Sequence, residues 1–382
     1  MELKFPEHDE FIEYAELDVF NDNENLLEFK IPKHEEAWYR FRLLGFGASE
    51  ISVICGVNPY QILPKMLDEK CSFERKDILN ESMLSGILAE SSIVERWKYY
   101  DGTELGYVKN WSNNDVKRNC EAVDSYIVNT KYPWLFVSLD AKIKGGQYHL
   151  SGIKLDKDSP LEVKTIRHWE ASKWLEGIPT MYIYQLQCQM LVTETDYAEL
   201  AVLEDGVSFK VYPFKRDEGL CNMILEKSYE QWEILQQLRD IRANLAYHRS
   251  INDTSEVSKL ESQYESLLPL PDENERYKEY YSDRMMREVE QFNGGQDEFN
   301  LCKLRKDYHY ALSLIEGKIQ GIDNLMMRRF VKQRAEYMQF DGNGKVRYFK
   351  RKGGINYQLD YKGFKIAIDK NKIEDFFKPF FI

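Results

Sequence analysis

The sequence predicts a mixed α/β (α+β) fold in which a central mixed sheet is flanked by helices, with a helical extension and closing β-strands behind it. Three observations predict it. Short apolar runs ending in acids or Glu-x-Lys, at 135–140 and 161–164, read as buried strands. Met83, Ile87, Val94 and Trp97 recur at the spacing of one helix face. Beyond Arg216, Leu220, Ile224, Trp232, Leu235, Leu238, Ile241 and Leu245 keep to helical spacing. At 382 residues the chain can bury a substantial core, as one large domain or two modest ones.

Residues 1–37 read as an acidic N-terminal arm with twelve acids against three lysines, a net of −9. Apart from one amphipathic turn over 11–17, a solvated tail is expected there. The sharper alternatives are a polyanion mimic over a basic groove and a handle for a partner.

A compact core is expected over 38–216. Its first helix, 38–44, ends at Gly45, with Gly47 supplying the turn. Ser49 is expected to cap a second helix, 50–55, that ends at Gly56 before the Asn58-Pro59-Tyr60 turn. Helices over 62–70 and 83–100 follow, and Glu90 falls on the apolar stripe of the second, where an unpaired carboxylate is costly. Strands are expected over 123–129, 135–140, 142–144 and 161–164. A helix over 169–175 precedes Gly177-Ile178-Pro179, Pro179 starts a helix to about 192, and strands over 197–203 and 209–214 complete the sheet.

The helical extension is assigned to 217–340, with helices over 220–245, 257–268, 276–292 and 299–340. The end of the chain, 341–382, reads as strands over 346–351, 355–361 and 364–368 after the Asp341-Gly342-Asn343-Gly344 turn. Its apolar tail, 374–382, reads as a docking peptide or as packing on its own protein or a sister subunit. There is no internal repeat.

No apolar run is long enough to cross a bilayer, and the acidic N-terminus does not read as a secretion signal. Cys55, Cys71, Cys120, Cys188, Cys221 and Cys302 lie far apart without a C-x-x-C, against a disulfide framework and a structural zinc site. A reducing cytoplasm, bacterial or phage-infected, is the expected compartment. The net charge of −12 argues against a polyanion partner until its distribution is considered. The acidic arm leaves only −3 for the rest, and 303–352 carries thirteen Lys/Arg against five Asp/Glu. Lys345–Lys352 reads as a strand gripping duplex backbone or, nearly as well, as a solvated hairpin.

Chemistry concentrates in Val137-Ser138-Leu139-Asp140 and Leu161-Glu162-Val163-Lys164. Strand alternation puts Glu162 and Lys164 on one face and turns Leu161 and Val163 into a core. Two carboxylates on neighbouring strands suit Mg²⁺ or Mn²⁺, and a lysine beside them can polarise a phosphate. By itself the pattern is also that of a solvated strand face carrying an ion pair.

Four stretches in register resemble the phage lambda exonuclease family, the YqaJ-type viral recombinases of the restriction-endonuclease-like PD-(D/E)xK nucleases. They are Trp38-x-x-x-Arg42-x-x-x-Phe46-Gly47-Ala48-Ser49-Glu50-Ile51 with Gly56-Val57-Asn58-Pro59-Tyr60; Gly86-Ile87-Leu88-Ala89-Glu90; Ser138-Leu139-Asp140 with Leu161-Glu162-Val163-Lys164-Thr165; and Ile178-Pro179-x-x-Tyr182-x-x-Gln185-Leu186-Gln187-x-Gln189. Two features depart: Asp140 is followed by Ala141 where the family often has glycine, and 250–300 is longer than a minimal member needs.

The resemblance implies a restriction-endonuclease-like core whose metal ions are held by Asp140, Glu162 and the Val163 main-chain oxygen, with Glu90 reaching in. Lys164 would orient the attacking water and help deprotonate it, and Gln185 would fix the lysine or the water. Gln187 and Gln189 are expected at the surface or in support. Arg42, Ser49 and Ser138 would grip a terminal phosphate, with Arg167 or Lys173 as a further phosphate residue. The implied enzyme is an Mg²⁺- or Mn²⁺-dependent exonuclease degrading linear duplex DNA from 5′ ends to leave 3′ overhangs for recombination. A homotrimeric ring and a single-strand annealing partner come with that precedent. An endonuclease or nickase, or a non-catalytic DNA-end-binding protein, would use the same scaffold.

Overall fold

The computed structural model describes residues 19–23, 25–72, 80–167, 170, 174, 177–284, 295–333, 337–340, 344–351 and 354–360. Two compact units divide the chain, Met1–Met285 and Met286–Ile382.

The first unit holds two mixed sheets. One is built from β1 (Val19–Asn23), β2 (Leu26–Phe29), β3 (Phe46–Gly47), β5 (Tyr126–Asn129) and β6 (Leu135–Val137), in the order β1-β2-β5-β6-β3. The other orders β10 (Ser208–Lys215), β9 (Tyr197–Glu204), β8 (Ser159–Ile166), β7 (Ala141–Ile143) and β4 (Cys120–Ala122). Among the described residues, the β3–β6 and β8–β9 pairs alone run parallel. The central position of β8 explains why its first five residues are all buried, the pattern of a strand covered on both faces.

Helix α6 (Thr180–Val192) packs on β5 and β6 of one sheet and on β8 and β9 of the other. It is buried continuously from Gln185 to Val192, which a run of three glutamines does not announce. Helix α4 (Glu81–Lys98) lies on β8 and β9, its first turn closed by the Asn80 side chain accepting from the Met83 amide. Helices α1 (Glu36–Leu44), α2 (Ile51–Ile54) and α3 (Leu63–Ser72) join the first sheet to the long α7 (Glu218–Ser250). Gly45 is required where α1 turns into β3, because a Cβ there would stand 2.6 Å from the Trp134 carbonyl oxygen.

Several expectations need correction. Residues 19–31 are not a solvated arm: β2 pairs with β5, Leu26 and Ile31 are buried, and Glu28 pairs with Lys142 at 2.8 Å. The acids of this segment obscured two strands whose backbone completes a sheet. Residues 1–18 lie outside the described residues. Ser49 does not cap a helix; it sits inside a 3-10 turn, Ala48–Glu50, closed by the Gly47 amide donating to the Glu50 carboxylate at 2.8 Å. Helix α5 (Glu104–Ser112) was not foreseen. The expected helix over 169–175 falls almost wholly outside the described residues.

Helices α7, α8 (Thr254–Leu267) and α9 (Arg276–Arg284) fall within the first unit. Helix α7 packs on α2, α3 and α6, burying Cys221, Ile224, Leu235 and Leu238 in the first core. In the second unit, α10 (Gln296–Gln333) stops short of the expected residue 340. Residues Tyr337–Phe340 form β11 instead, paired with β12 (Gly344–Arg351), which pairs with β13 (Gly354–Asp360). The expected strand over 364–368 and the apolar tail lie outside the described residues. Among the described residues no helix is long and apolar enough to cross a membrane.

One buried ion pair braces the second sheet. Glu199 on β9 is fully buried and accepts both terminal nitrogens of Arg118, at 2.6 and 2.7 Å. It also accepts the Trp97 indole at 2.8 Å and the Leu150 amide at 3.0 Å. Arg118→Met should cost about 3–5 kcal/mol, because it strands a buried carboxylate. Denaturant unfolding of the full chain measures it, and a loss near zero would show that the pair is dispensable.

Candidate active site

Glu162 is an acid on the central strand with only 2 % of its surface exposed. Burial of a carboxylate demands donors for both oxygens. Helix α6 supplies two, one turn apart: the Gln185 amide donates to Oε1 at 2.6 Å and the Gln189 amide to Oε2 at 2.5 Å. Lys164, two residues on along β8, ion-pairs with Oε1. Its ammonium lies 5.7 Å from the Tyr182 ring centroid, in cation–π range.

Asp140 stands in the short link from β6 to β7. Because Ala141 pairs with Leu161 across β7 and β8, the preceding acid is delivered beside Glu162. Its Oδ2 accepts the Val163 amide at 2.8 Å, so that amide, at least, is committed within the site. Glu90 arrives from α4. Between Glu90 and Asp140 stands an amine that no motif suggested: Lys33 Nζ is 3.1 Å from Asp140 Oδ1 and 3.7 Å from Glu90 Oε2.

With this geometry in view, residues 37–196 match the family profile described as the YqaJ-like viral recombinase domain. That stretch is similar to the domain the profile describes. No curated protein matches it. Among solved structures, an alkaline exonuclease (LHK-Exo) from Laribacter hongkongensis is 15 % identical over 56 % of this chain and 98 % of that one, with a TM-score of 0.42. A phage-related exonuclease from Haemophilus somnus 129PT is 14 % identical over 48 % and 90 %, with a TM-score of 0.30. Glu90, Asp140 and Glu162 all lie within the matched residues, whereas Lys33 precedes them.

The electrostatics of the domain's acids follow from crowding. Burial, then the neighbouring Asp140, pushes the Glu162 carboxyl above its ordinary value, against the pull of Lys164 and the Gln189 hydrogen bond. Burial and Asp140 likewise raise Glu90, with Lys33 and Lys164 opposing. For Lys164, burial acts downward but is outweighed by Glu162 and Asp140, so the amine is held charged. Lys33 is raised in the same way: Asp140 and Glu90 outweigh its burial.

The donor set suits a hard divalent cation in kind: Glu90, Asp140 and Glu162 supply carboxylates, with Lys33 and Lys164 paired to them. As arranged, however, no three His, Cys, Asp or Glu side chains among the described residues gather closely enough to hold one ion. Lys33 separates one pair, and the two glutamines and Lys164 engage Glu162.

The residues expected at a terminal phosphate are only partly assembled. Gly47 pairs with Phe136 across β3 and β6, so Ser49 and Ser138 each lie two residues beyond that pair. Arg42 Nη2 stands 3.4 Å from both Ser49 Oγ and Glu50 Oε1, its guanidinium 5.2 Å from the Trp38 ring centroid. The Ser138 hydroxyl is buried with no hydrogen-bond partner among the described residues. Arg167 is exposed at the end of β8, its amide donating to Glu170, and Lys173 lies outside the described residues.

Of the two places expected for Gln189, the surface and a supporting position, it takes the second: fully buried, it donates to the Glu162 carboxylate. The four-residue step from Gln185 to Gln189 is the signal that could have found it, since such residues share a helix face. Gln187 points elsewhere, donating to the Lys215 carbonyl and accepting the Asp217 amide. Gln189→Leu removes one donor from a buried charge. Stability should fall by about 1–3 kcal/mol in denaturant unfolding, and an unchanged midpoint would remove Gln189 from the carboxylate's support.

Proposed function

We propose that this protein is a metal-dependent deoxyribonuclease that degrades linear duplex DNA from 5′ ends, leaving 3′ single strands for recombination. The observation that carries the proposal is the buried Glu162 carboxylate, gripped by Lys164, Gln185 and Gln189 beside Asp140 inside a YqaJ-like domain. These partners are side-chain amides and an ammonium, which can re-aim toward a ligand, unlike the bidentate guanidinium that holds the bracing Glu199.

Asp140, Glu162 and the Val163 main-chain oxygen would hold Mg²⁺ or Mn²⁺, with Glu90 alongside. The ion supplies Lewis acidity toward the phosphate when bound. Lys164, held charged, donates to a phosphate oxygen as negative charge grows there. This makes it an electrostatic stabiliser that orients water rather than a base that removes its proton. Gln185 and Gln189 fix the carboxylate, and Tyr182 backs the lysine.

Preference for ends is supported by Arg42 and Ser49, a guanidinium and a hydroxyl already side by side, which suit a terminal 5′-phosphate. Glu50 neutralises Arg42 until a phosphate takes its place. Next to Lys164, a cleft of about 210 Å³ is lined by Tyr60, Trp174 and Tyr182, whose ring faces suit a nucleobase of the strand being cut. A homotrimeric ring around the duplex and a single-strand annealing partner complete the reading by resemblance.

In Mg²⁺, 5′-phosphorylated linear duplex should disappear while closed circles persist, and 5′-hydroxyl ends should react more slowly. Lys164→Ala should be inactive. Equal attack on circles would replace end-directed degradation with endonuclease action, and full activity of Lys164→Ala would remove the site. Trp174→Ala should weaken binding of a frayed end about tenfold, the scale of one base stack.

The pH dependence follows from the raised Glu162. Its charged form is needed, so the rate should fall as pH drops through its elevated value. The acid limb should therefore lie above that of an exposed carboxylate, and Gln189→Leu, by removing a hydrogen bond that favours the charged form, should move it higher still. A pH–rate profile with no limb above the ordinary carboxylate range would contradict this.

A further inference from the structure

Lys33 lies outside the stretch that matches the YqaJ-like domain, yet among the described residues it is the ion-pair partner of both Glu90 and Asp140. Its amine is not a loose surface charge. The Lys33 side chain is 14 % exposed. Its backbone amide donates to Asp124 at 2.5 Å. Ile31, two residues earlier, is buried with Tyr126, Val128 and Phe136. The next residue, His34, takes a left-handed φ of 68° and packs against Trp38. The turn between β2 and α1 is thus anchored on both sides and delivers an ammonium to the space between two carboxylates.

Resting on the metal-dependent reading above, we propose that Lys33 is a tethered cation that competes with the divalent ion for Glu90 and Asp140, and so sets the ion concentration at which the site loads. Two like charges cannot share a gap of this width cheaply. An ion at Asp140 would face the ammonium across a few ångströms, where repulsion remains strong even at an effective dielectric well above that of dry protein. Loading therefore requires the Lys33 side chain to leave, and the acids it releases become available together. Lys164, by contrast, makes its ion pair with Glu162.

Mn²⁺ binding to the full chain, followed by the loss of the free-ion EPR signal, tests this without any turnover. Lys33→Met and Lys33→Gln should bind Mn²⁺ tighter than wild type by about tenfold or more, the scale expected on removing a competing unit charge at contact distance. Lys33→Arg should stay close to wild type, because the charge is kept. Asp140→Asn should bind most weakly. Two neutral variants are used so that a folding defect in one, visible in its thermal melt, leaves the other as the test. Equal or weaker Mn²⁺ binding in a folded neutral variant, with wild type and Asp140→Asn still distinct, would overturn the Lys33 proposal and leave the metal-dependent reading standing. If Asp140→Asn binds as wild type does, the ion is not held at these acids, and both readings fall together.

Discussion

Keeping a carboxylate charged inside the middle of a sheet is the constraint on which this architecture turns. Glu162 sits on β8 with strands on either side and α6 over it, so no water can be counted on to solvate it. Both oxygens must be met by the protein, and they are, by two amides from one helix and an ammonium from the same strand. That requirement dictates the rest. Helix α6 must lie between the sheets, its polar step from Gln185 to Gln189 must face β8, and the alternation of β8 must keep Lys164 on the side of Glu162.

Charge balance then couples the two sheets. Asp140 arrives on the link from β6, in the first sheet, to β7, in the second, so it belongs to both. Burial first and Asp140 second raise Glu162 and Glu90, while Asp140 helps to hold Lys164 and Lys33 charged. Lys33 and Asp140 therefore tie the strand pair at the start of the chain to the second sheet through charge as well as through backbone hydrogen bonds. This gives the segment before the YqaJ-like domain a physical reason to be folded against it.

Much of the site was legible because period-two and period-four rules act locally. The alternation of Leu161-Glu162-Val163-Lys164 is a property of any strand, and it placed the acid and the lysine together. The fold's mixed character and its α4 stripe followed from the same local periodicity. What stayed hidden depended on contacts distant in sequence. Lys33 lies 107 residues from Asp140, in a segment whose acids pointed to solvent. The partner of β2 is β5, a hundred residues on, and no composition count contains it. Ser49 looked like a cap because serine before a helix usually is one; the Glu50 carboxylate took that task by reaching back to the Gly47 amide.

The second sheet offers its own control on what separates a functional buried acid from a structural one. Leu161 pairs with Glu199 and Glu162 with Leu200, so the two acids sit on adjacent strands, one register step apart. Glu199 meets a guanidinium that matches it with two parallel bonds, an indole and a backbone amide, and its residue is fully enclosed. Such an acid has no donor to exchange and no path to a ligand, and it serves as a brace. Glu162 meets side-chain amides and a flexible ammonium instead. Its lysine partner is about a quarter exposed, and an aromatic cleft opens beside it. Amides and an amine can re-aim when a phosphate or a cation arrives, whereas a bidentate arginine pair must break to do so. The difference lies in the partners rather than in the depth of burial, and it assigns chemistry to β8 and rigidity to β9.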